Sequence, residues 1–346
     1  MNKLSQNSAL LLIILVTVTF FSCEKVNRLP TERVPKGDIR LGGVLKVATA
    51  DKPTVPNPST ITNASSSEIG LHVHDGLLKL DAQTLEVQPG LAERWSVNDD
   101  GTSYIFEIRK GAKFHADDCF GNGSREITAH DFGYSFKQLC SAGEGSAFET
   151  TFKNRVVGAT EFHDGLATEI SGVKVLDDYT LSIQLIKSDP SFLFVLAQPS
   201  TAVVSKKVVD TYGESFTIGS GPFQFVHMDG ELLLIRNEEY YARDVFGNRL
   251  PYLDSLIYKQ IPTKEQQLKA FFDSEIDVVS RLYLDPVKQI LEQHVAEFSG
   301  KFPKYMMQRD SESVGYESYS IFRSTINGFE NNFMGYRDFS KVQIEQ

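Results

Sequence analysis

The stretch AERWSVNDDGTSYIFEIRKGAKF, residues 92–114, decides the fold because apolar side chains alternate with polar ones on both sides of a turn signal. The alternating apolar positions are Trp95, Val97, Tyr104, Phe106 and Ile108. Asp100–Gly101 stands between the two runs, and an Asp-Gly pair in that setting favours a tight hairpin turn. The stretch therefore predicts a β-hairpin with one buried face.

Two further segments repeat this pattern. GVKVLDDYTLSIQLI, residues 172–186, alternates around Asp177 and Asp178, which are turn-forming residues. GPFQFVHMDGELLLIRN, residues 221–237, alternates around Asp229–Gly230. We expect a β-hairpin in each segment.

Helices are predicted between the hairpins. Thr128 followed by Asp131 predicts a helix start, as does Thr263 followed by Gln266. A third helix is predicted to begin with Asp285 as its cap and Pro286 in the first position. Interleaved strands and helices favour an α/β or α+β protein built on mixed sheets.

The N-terminal segment indicates export from the cytoplasm. An apolar block precedes Ser22 and Cys23, and it is too short to span a bilayer as a lone helix. Residues 1–22 therefore predict a cleaved signal peptide, and the context of Cys23 resembles a bacterial lipobox, which would make this thiol the site of lipidation. Residues 23–38 then predict a lipid-anchored tether. An ordinary secretory signal and an uncleaved anchor are the alternatives.

Composition narrows the possible partners. The formal net charge of −10 disfavours nucleic acid as a ligand. Cys119 and Cys140 allow a disulfide in an oxidising exterior, or two buried thiols, and the sequence leaves both open.

No pattern in the chain demands catalysis or a cofactor. His72 and His74 would share one side of a strand but diverge on a helix, and no third metal ligand is signalled nearby. The polar segment KFHADDCFGNGSREITAHD, residues 113–131, lacks the spacing of a zinc or calcium site and predicts a surface loop. GSGPF, residues 219–223, lacks the spacing of a nucleophile elbow and predicts a turn. We therefore predict no catalytic residue, no metal ligand and no cofactor.

The hairpin region also carries a family pattern. Its characteristic positions are Gly76–Leu77, Pro89, Leu91–Ala92, Trp95, Asp100–Gly101, Tyr104, Phe106, Arg109, Gly111, Phe114 and His115. Further segments that fit in order are GGVLKVATADKPTVPNPST (42–60), ITAHDFGYSF (127–136), GSGPFQF (219–225), RNEEYY (236–241) and DSEIDVV (273–279). From about Gly42 to about Val279, the chain resembles the peptide-type solute-binding proteins of bacterial ABC importers, a family that also serves nickel complexes.

The resemblance implies a bilobal fold of the periplasmic-binding-protein kind, with the ligand enclosed in a cleft between lobes. By position, residues 39–63 and 172–262 would form the core of lobe I, residues 64–171 an accessory subdomain, and residues 263–346 part of lobe II. Family members continue well beyond the position of residue 346. We therefore expect a C-terminally shortened chain whose second lobe is incomplete.

The resemblance also implies a site and a function. The loop Asp51, Lys52, Pro53 and Thr54 would lie along the ligand, although a loop that merely joins the lobes is the alternative. Because Pro53 lacks an N–H, one ladder donor would be missing there, which either shifts the register or indicates a ligand other than a plain peptide. The implied protein is a monomeric, membrane-tethered lipoprotein, periplasmic or at the cell surface, which delivers peptides to ABC permease subunits in the inner membrane and is not an enzyme. A receptor for metal complexes, a non-binding fragment and a secreted hydrolase are the alternatives.

Overall fold

A computed structural model describes residues 33–228, 230–299, 301, 303–310, 318–329 and 337–345 of the chain. The predicted signal peptide, Cys23 and the tether up to residue 32 lie outside the described residues. Residues from Pro35 onward form one unit, and the fold described below is that of this unit.

A seven-stranded mixed sheet forms the centre of the unit, counted over the described residues. In spatial order its strands are β12 (Tyr305–Arg309), β13 (Ser318–Arg323), β11 (Val278–Tyr283), β1 (Val44–Thr49), β10 (Ser255–Gln260), β9 (Glu231–Arg236) and β8 (Phe223–Met228). β1 runs parallel to both of its neighbours, whereas the outer strands pair antiparallel. The sheet is therefore parallel at its centre and antiparallel at both margins.

β1 holds this central place because its side chains alternate. Leu45, Val47 and Thr49 are buried, while the residues between them are less so. Val47 pairs with Tyr258 of β10 on one side and with Val278 of β11 on the other. The apolar face packs into a core with strands β9 and β10, which fixes the register of the three parallel strands.

A four-stranded antiparallel sheet contains two of the predicted hairpins. Its strands, in spatial order, are β4 (Ala92–Val97), β5 (Ser103–Ile108), β7 (Thr180–Gln184) and β6 (Val173–Asp177). Trp95 lies opposite Phe106, and Gly101 in the turn has a φ of 71°. The third predicted hairpin is the β8–β9 pair, so the structure confirms all three. Short pairs are formed by β2 (Leu78–Leu80) with β3 (Val87–Pro89) and by β14 (Ile326–Asn327) with β15 (Gln343–Ile344).

The α-helices of the described residues are α1 (Ala64–Val73), α2 (Ala129–Ser141), α3 (Phe148–Thr151), α4 (Ala159–His163), α5 (Phe192–Leu196), α6 (Lys206–Tyr212), α7 (Lys264–Phe272), α8 (Leu284–Gln293) and α9 (Val295–Phe298). Two predicted helix starts are confirmed. The Thr128 N–H donates to the Asp131 carboxylate at 2.9 Å, and Thr263 Oγ1 accepts from the N–H of Gln266 at 3.3 Å.

The predicted start of the third helix is wrong. α8 begins at Leu284 with Tyr283 as its N-cap, so Pro286 is the third helical residue and Asp285 is not the cap. The first N–H groups of a helix have no partner within the helix, so a proline at this position removes no helical hydrogen bond.

The mixed α/β fold predicted from the interleaved pattern is confirmed. Strands β11 to β13 share one sheet with β1, while β6 and β7 share a sheet with β4 and β5. The lobe boundaries inferred from the resemblance stay a prediction. Within the described part of the chain, no helix combines the length and the apolar character needed to cross a bilayer.

Candidate functional site

The carboxyl end of β1 is the place where this sheet topology favours a ligand. The chain leaves β10 on one side of β1, passes through α7 and enters β11 on the other side. In open α/β sheets, ligands bind beyond the carboxyl ends of parallel strands where the connections diverge in this way. The four residues predicted to contact ligand, Asp51 to Thr54, follow β1 at this edge. Asp51, Lys52 and Thr54 are exposed there, whereas Pro53 is buried.

Hydrogen bonds fix both ends of the segment that carries these four residues. The Thr49 hydroxyl donates to the carbonyl oxygen of Asp51 at 2.5 Å, and the N–H of Ile261 donates to the carbonyl of Thr49 at 2.8 Å. Further along, the Nε2 atom of His74 lies 3.0 Å from the carbonyl oxygen of Pro56. The exposed residues between these anchors therefore stand at a defined position beside the strand ends.

A buried ionic cluster lies at the same edge. Parallel pairing of Val47 with Val278 sets Ser280, two residues further along β11, beside the end of β1. The Arg337 guanidinium donates to the Ser280 hydroxyl at 2.6 Å and pairs with the Glu68 carboxylate. The Lys264 ammonium donates to the Ser280 carbonyl at 2.7 Å. These groups come from four separate parts of the chain.

Electrostatics in this cluster differ from those of exposed groups. Burial, followed by the neighbouring Arg337 cation, lowers the pKa of Lys264 to about 8. Glu68 is 6% exposed, and its Oε1 atom has no hydrogen-bond partner among the described residues. A buried carboxylate oxygen without a donor is costly. The carboxyl end of β1 therefore combines buried cations with a carboxylate oxygen that lacks a donor among the described residues, next to the exposed loop Asp51–Thr54.

The two histidines considered as a metal pair do not form one. His72 lies in α1, where its ring stacks on Phe339 with centroids 4.9 Å apart, and His74 caps the helix and contacts Pro56. Burial lowers the pKa of His72 to about 4 and that of His74 to about 3, so both rings are neutral at pH 7. Over the residues that the structure describes, no three His, Cys, Asp or Glu side chains are grouped to hold a metal ion.

His115 was expected in a surface loop, and this is wrong because it is 3% exposed. Its Nδ1 atom accepts from the N–H of Gly219 at 3.2 Å, while Nε2 lies 2.9 Å from the carbonyl oxygen of Gly221. Through these contacts, the histidine connects the 219–223 turn to the segment that follows β5.

The turn interpretation of residues 219–223 is confirmed. The N–H groups of Ser220 and Gly221 donate to the carbonyl of Val73 at 3.0 and 2.8 Å. A β-carbon at Gly219 would clash with that carbonyl, and one at Gly221 would lie 2.7 Å from the carbonyl of His72. Close approach to the end of α1, rather than left-handed backbone, requires glycine at both positions.

Both described cysteines are free thiols. Burial raises the pKa of Cys119 to about 12, with a further contribution from Asp117, and burial alone raises that of Cys140 to about 12. Of the two possibilities left open by the sequence, the structure has free thiols, of which Cys140 is buried and Cys119 is half-buried.

Comparisons with known proteins agree with this architecture. The sequence model of a family described as bacterial extracellular solute-binding proteins, family 5 Middle, matches residues 86–323. The dipeptide-binding protein of Escherichia coli is 27% identical over 276 residues, which are 77% of this chain and 48% of that protein. Heme-binding protein A of Haemophilus influenzae is 28% identical over 255 residues, 68% of this chain and 43% of that protein.

A solved structure is similar over the same region. A periplasmic oligopeptide-binding protein from Borrelia burgdorferi superposes with a TM-score of 0.63 at 26% identity, covering 76% of this chain and 50% of the other. The chain spans about half the length of the relatives that it matches.

Proposed function

This chain belongs to family 5 of the bacterial extracellular solute-binding proteins, and on that premise we propose that it binds short peptides for an ABC importer. The observation that carries the proposal is the family match over residues 86–323, together with a relative named for dipeptide binding. The exposed loop at the carboxyl end of β1 supplies the site.

The chemistry of that loop suits an extended peptide. Exposed backbone beside the ends of parallel strands can pair with the main chain of a peptide, and this gives affinity without dependence on its side chains. Bridging waters accommodate varied side chains at little cost. Because Pro53 donates no hydrogen bond, the pairing runs through the residues on either side of it.

Anchoring and transport complete the proposal. Lipid on Cys23 would hold the protein outside the cytoplasm at a membrane face, from which it would pass peptides to permease subunits. The Lys36 backbone is bonded in both directions to the Asn248 side chain, at 2.8 Å each, so the predicted tether joins the folded unit near this residue. A metal-complex receptor gains no support from His72 and His74, which are buried, with His72 stacked on Phe339 and His74 in contact with the Pro56 carbonyl.

A thermal-shift experiment tests the proposal. Residues 24–346, which include the whole unit from Pro35 onward, are melted with pools of dipeptides, tripeptides and longer peptides, and with free amino acids as the comparison. A ligand at a hundredfold excess over its Kd stabilises the folded state by about 2.7 kcal/mol, so an upward shift with one peptide pool is expected. Mass spectrometry of the recovered peptides should find them intact, which a hydrolase would not leave.

A matched pair of variants locates the site. Thr54→Arg places a long side chain in the exposed loop and should abolish the shift, whereas Thr211→Arg on α6, also an exposed position, should preserve it. No shift with any pool, or equal shifts in both variants, would contradict the proposal.

A further inference from the structure

A cavity of about 650 Å³ lies between the β2–β3 pair and the segment that follows β9. Its wall includes Leu250 and Ser340, and this part of the chain is bonded to the start of β1. The N–H of Tyr252 donates to the carbonyl of Ser340 at 2.9 Å, and the N–H of Gly42 donates to the carbonyl of Tyr252 at 2.8 Å. None of the residues Asp51 to Thr54 lines this cavity, so it is distinct from the loop beyond Thr49.

The walls of the cavity carry an excess of positive charge. Its basic lining residues are Lys79, Arg109, Arg243 and Lys341, and its acidic ones are Asp81 and Asp338. Lys79 is paired with the buried Asp75 carboxylate at 2.7 Å, so the remaining excess of positive charge comes from Arg109, Arg243 and Lys341. An excess of one sign of charge in a concave site favours ions of the opposite sign.

The two acids are already engaged by their own loops. One Asp81 oxygen accepts from the N–H groups of Gln83 and Thr84 at 3.0 and 2.9 Å. An Asp338 oxygen accepts from the N–H of Ser340 at 2.8 Å. These carboxylates therefore serve local turns, and they do not neutralise the guanidinium groups through direct ion pairs of hydrogen-bond length.

An aromatic contact positions Arg109, while its N–H donors make only long contacts to acceptors among the described residues. Its guanidinium carbon lies over the ring of Tyr241, 4.9 Å from the ring centroid, a cation–π contact that positions the charged group. Its nearest acceptors are the carbonyl of Gly90, at 3.4 and 3.5 Å, and a carboxylate oxygen of Glu93, at 3.7 Å. All three distances are long for a charged donor. Arg243 likewise has one bond within the described part of the chain, from Nη1 to the carbonyl of Gly247 at 2.9 Å, which leaves its other donors for a ligand.

We propose that this cavity binds a small organic anion through its carboxylate or phosphate groups, with Arg109 and Arg243 as the recognising side chains. A planar guanidinium fork matches either group with two parallel hydrogen bonds. The volume accommodates a molecule the size of citrate or a sugar phosphate. The site is independent of the peptide site proposed above.

Isothermal titration calorimetry of residues 24–346 with citrate and with glycerol 3-phosphate tests the proposal, because the two probes separate carboxylate from phosphate recognition. Binding of at least one probe is expected, with a weaker affinity at high salt. Arg109→Gln should weaken it at least tenfold. Arg94→Gln removes the same charge from a side chain that is 74% exposed and paired with Glu107, and it should change the affinity less than twofold.

Other outcomes are equally decisive. Absence of binding by both probes at millimolar concentration, or equal losses in Arg109→Gln and Arg94→Gln, would overturn the proposal. If circular dichroism shows that Arg109→Gln is unfolded, Arg243→Gln, at an exposed position, replaces it with the same expected loss. Anion binding should persist in Thr54→Arg, and its disappearance there would refute a separate site while leaving the peptide proposal intact.

Discussion

The ammonium nitrogen of Lys79 lies 2.7 Å from a carboxylate oxygen of Asp75, whose side chain is 1% exposed. Tyr240 also donates to this carboxylate, at 3.3 Å. Burial alone would lower the pKa of Lys79, but the Asp75 carboxylate, together with Tyr240, Tyr241 and Asp338, outweighs burial and holds the pKa well above its usual value. The pair joins the end of α1 to β2 as a charged unit.

Removing one partner of this buried pair should destabilise the fold. Lys79→Met leaves an uncompensated buried carboxylate, so we expect a loss of about 3–5 kcal/mol in the free energy of unfolding, measured by urea denaturation. Lys206→Met breaks a pair of the same spacing whose side chains are 65% and 58% exposed, and it should cost less than about 1 kcal/mol. Equal losses in the two variants would contradict the burial argument.

Gly219→Ala should be poorly tolerated. The new β-carbon would press against the Val73 carbonyl in a turn that also holds His115, so a loss of about 1–3 kcal/mol or more is expected in the same assay. Gly143→Ala is the control, because nothing lies within 4 Å of its β-carbon position. A small effect at both glycines would show that the turn can move away from α1.

Acidification should weaken the fold through His115. Burial lowers its pKa from 6.5 to about 4, so between these values the unfolded state binds more protons than the folded state. His115 should therefore contribute on the order of 3 kcal/mol to the free energy of unfolding above about pH 6.5, and this contribution should be lost as the pH falls towards 4.

Comparison of variants isolates that contribution, since His72 and His74 act in the same direction. His115→Gln should have a shallower decline between pH 6.5 and 4 than the parent chain. His130→Gln, at a side chain that is 65% exposed, should keep the parent slope. Identical slopes in all three proteins would count against a buried neutral His115.

The thiols should be unreactive in the folded protein. Residues 24–346 contain Cys119 and Cys140, and both have a pKa raised to about 12 by burial, with Asp117 adding to the effect at Cys119. Because the thiolate is the reactive form, alkylation by iodoacetamide at pH 8 should be slow, and it should become fast for both residues in urea. A native protein two mass units lighter than the reduced chain, as a disulfide would make it, would contradict this prediction.

Local patterns predicted the hairpins, since alternation and turn residues act over a few positions. The hairpin at Asp100–Gly101 and the cap at Thr128 both formed where the sequence placed them. α8 started two residues before its predicted first position, because proline is compatible with several positions of a first helical turn.

The ionic cluster had no sequence signal. Glu68 in α1 and Arg337, which lies outside the strands, are 269 positions apart, and only the tertiary fold brings them together. The loop at Asp51–Thr54 is predicted as a ligand contact only through the family resemblance, and its position at the strand ends depends on β10 and β11 flanking β1. Contacts between distant parts of the chain, which periodicity does not encode, decide the positions of the cluster and of the loop.

Hydrogen exchange of the backbone amides of residues 49–57 measures the central claim most directly. The protein is compared with and without a saturating tripeptide from the pool that raises its melting temperature. We predict slower exchange at Asp51, Lys52 and Thr54, which are exposed in the structure, and unchanged exchange in the turn after β2. Protection confined to other regions, with this loop unchanged, would contradict the assignment of the peptide site to the carboxyl end of β1.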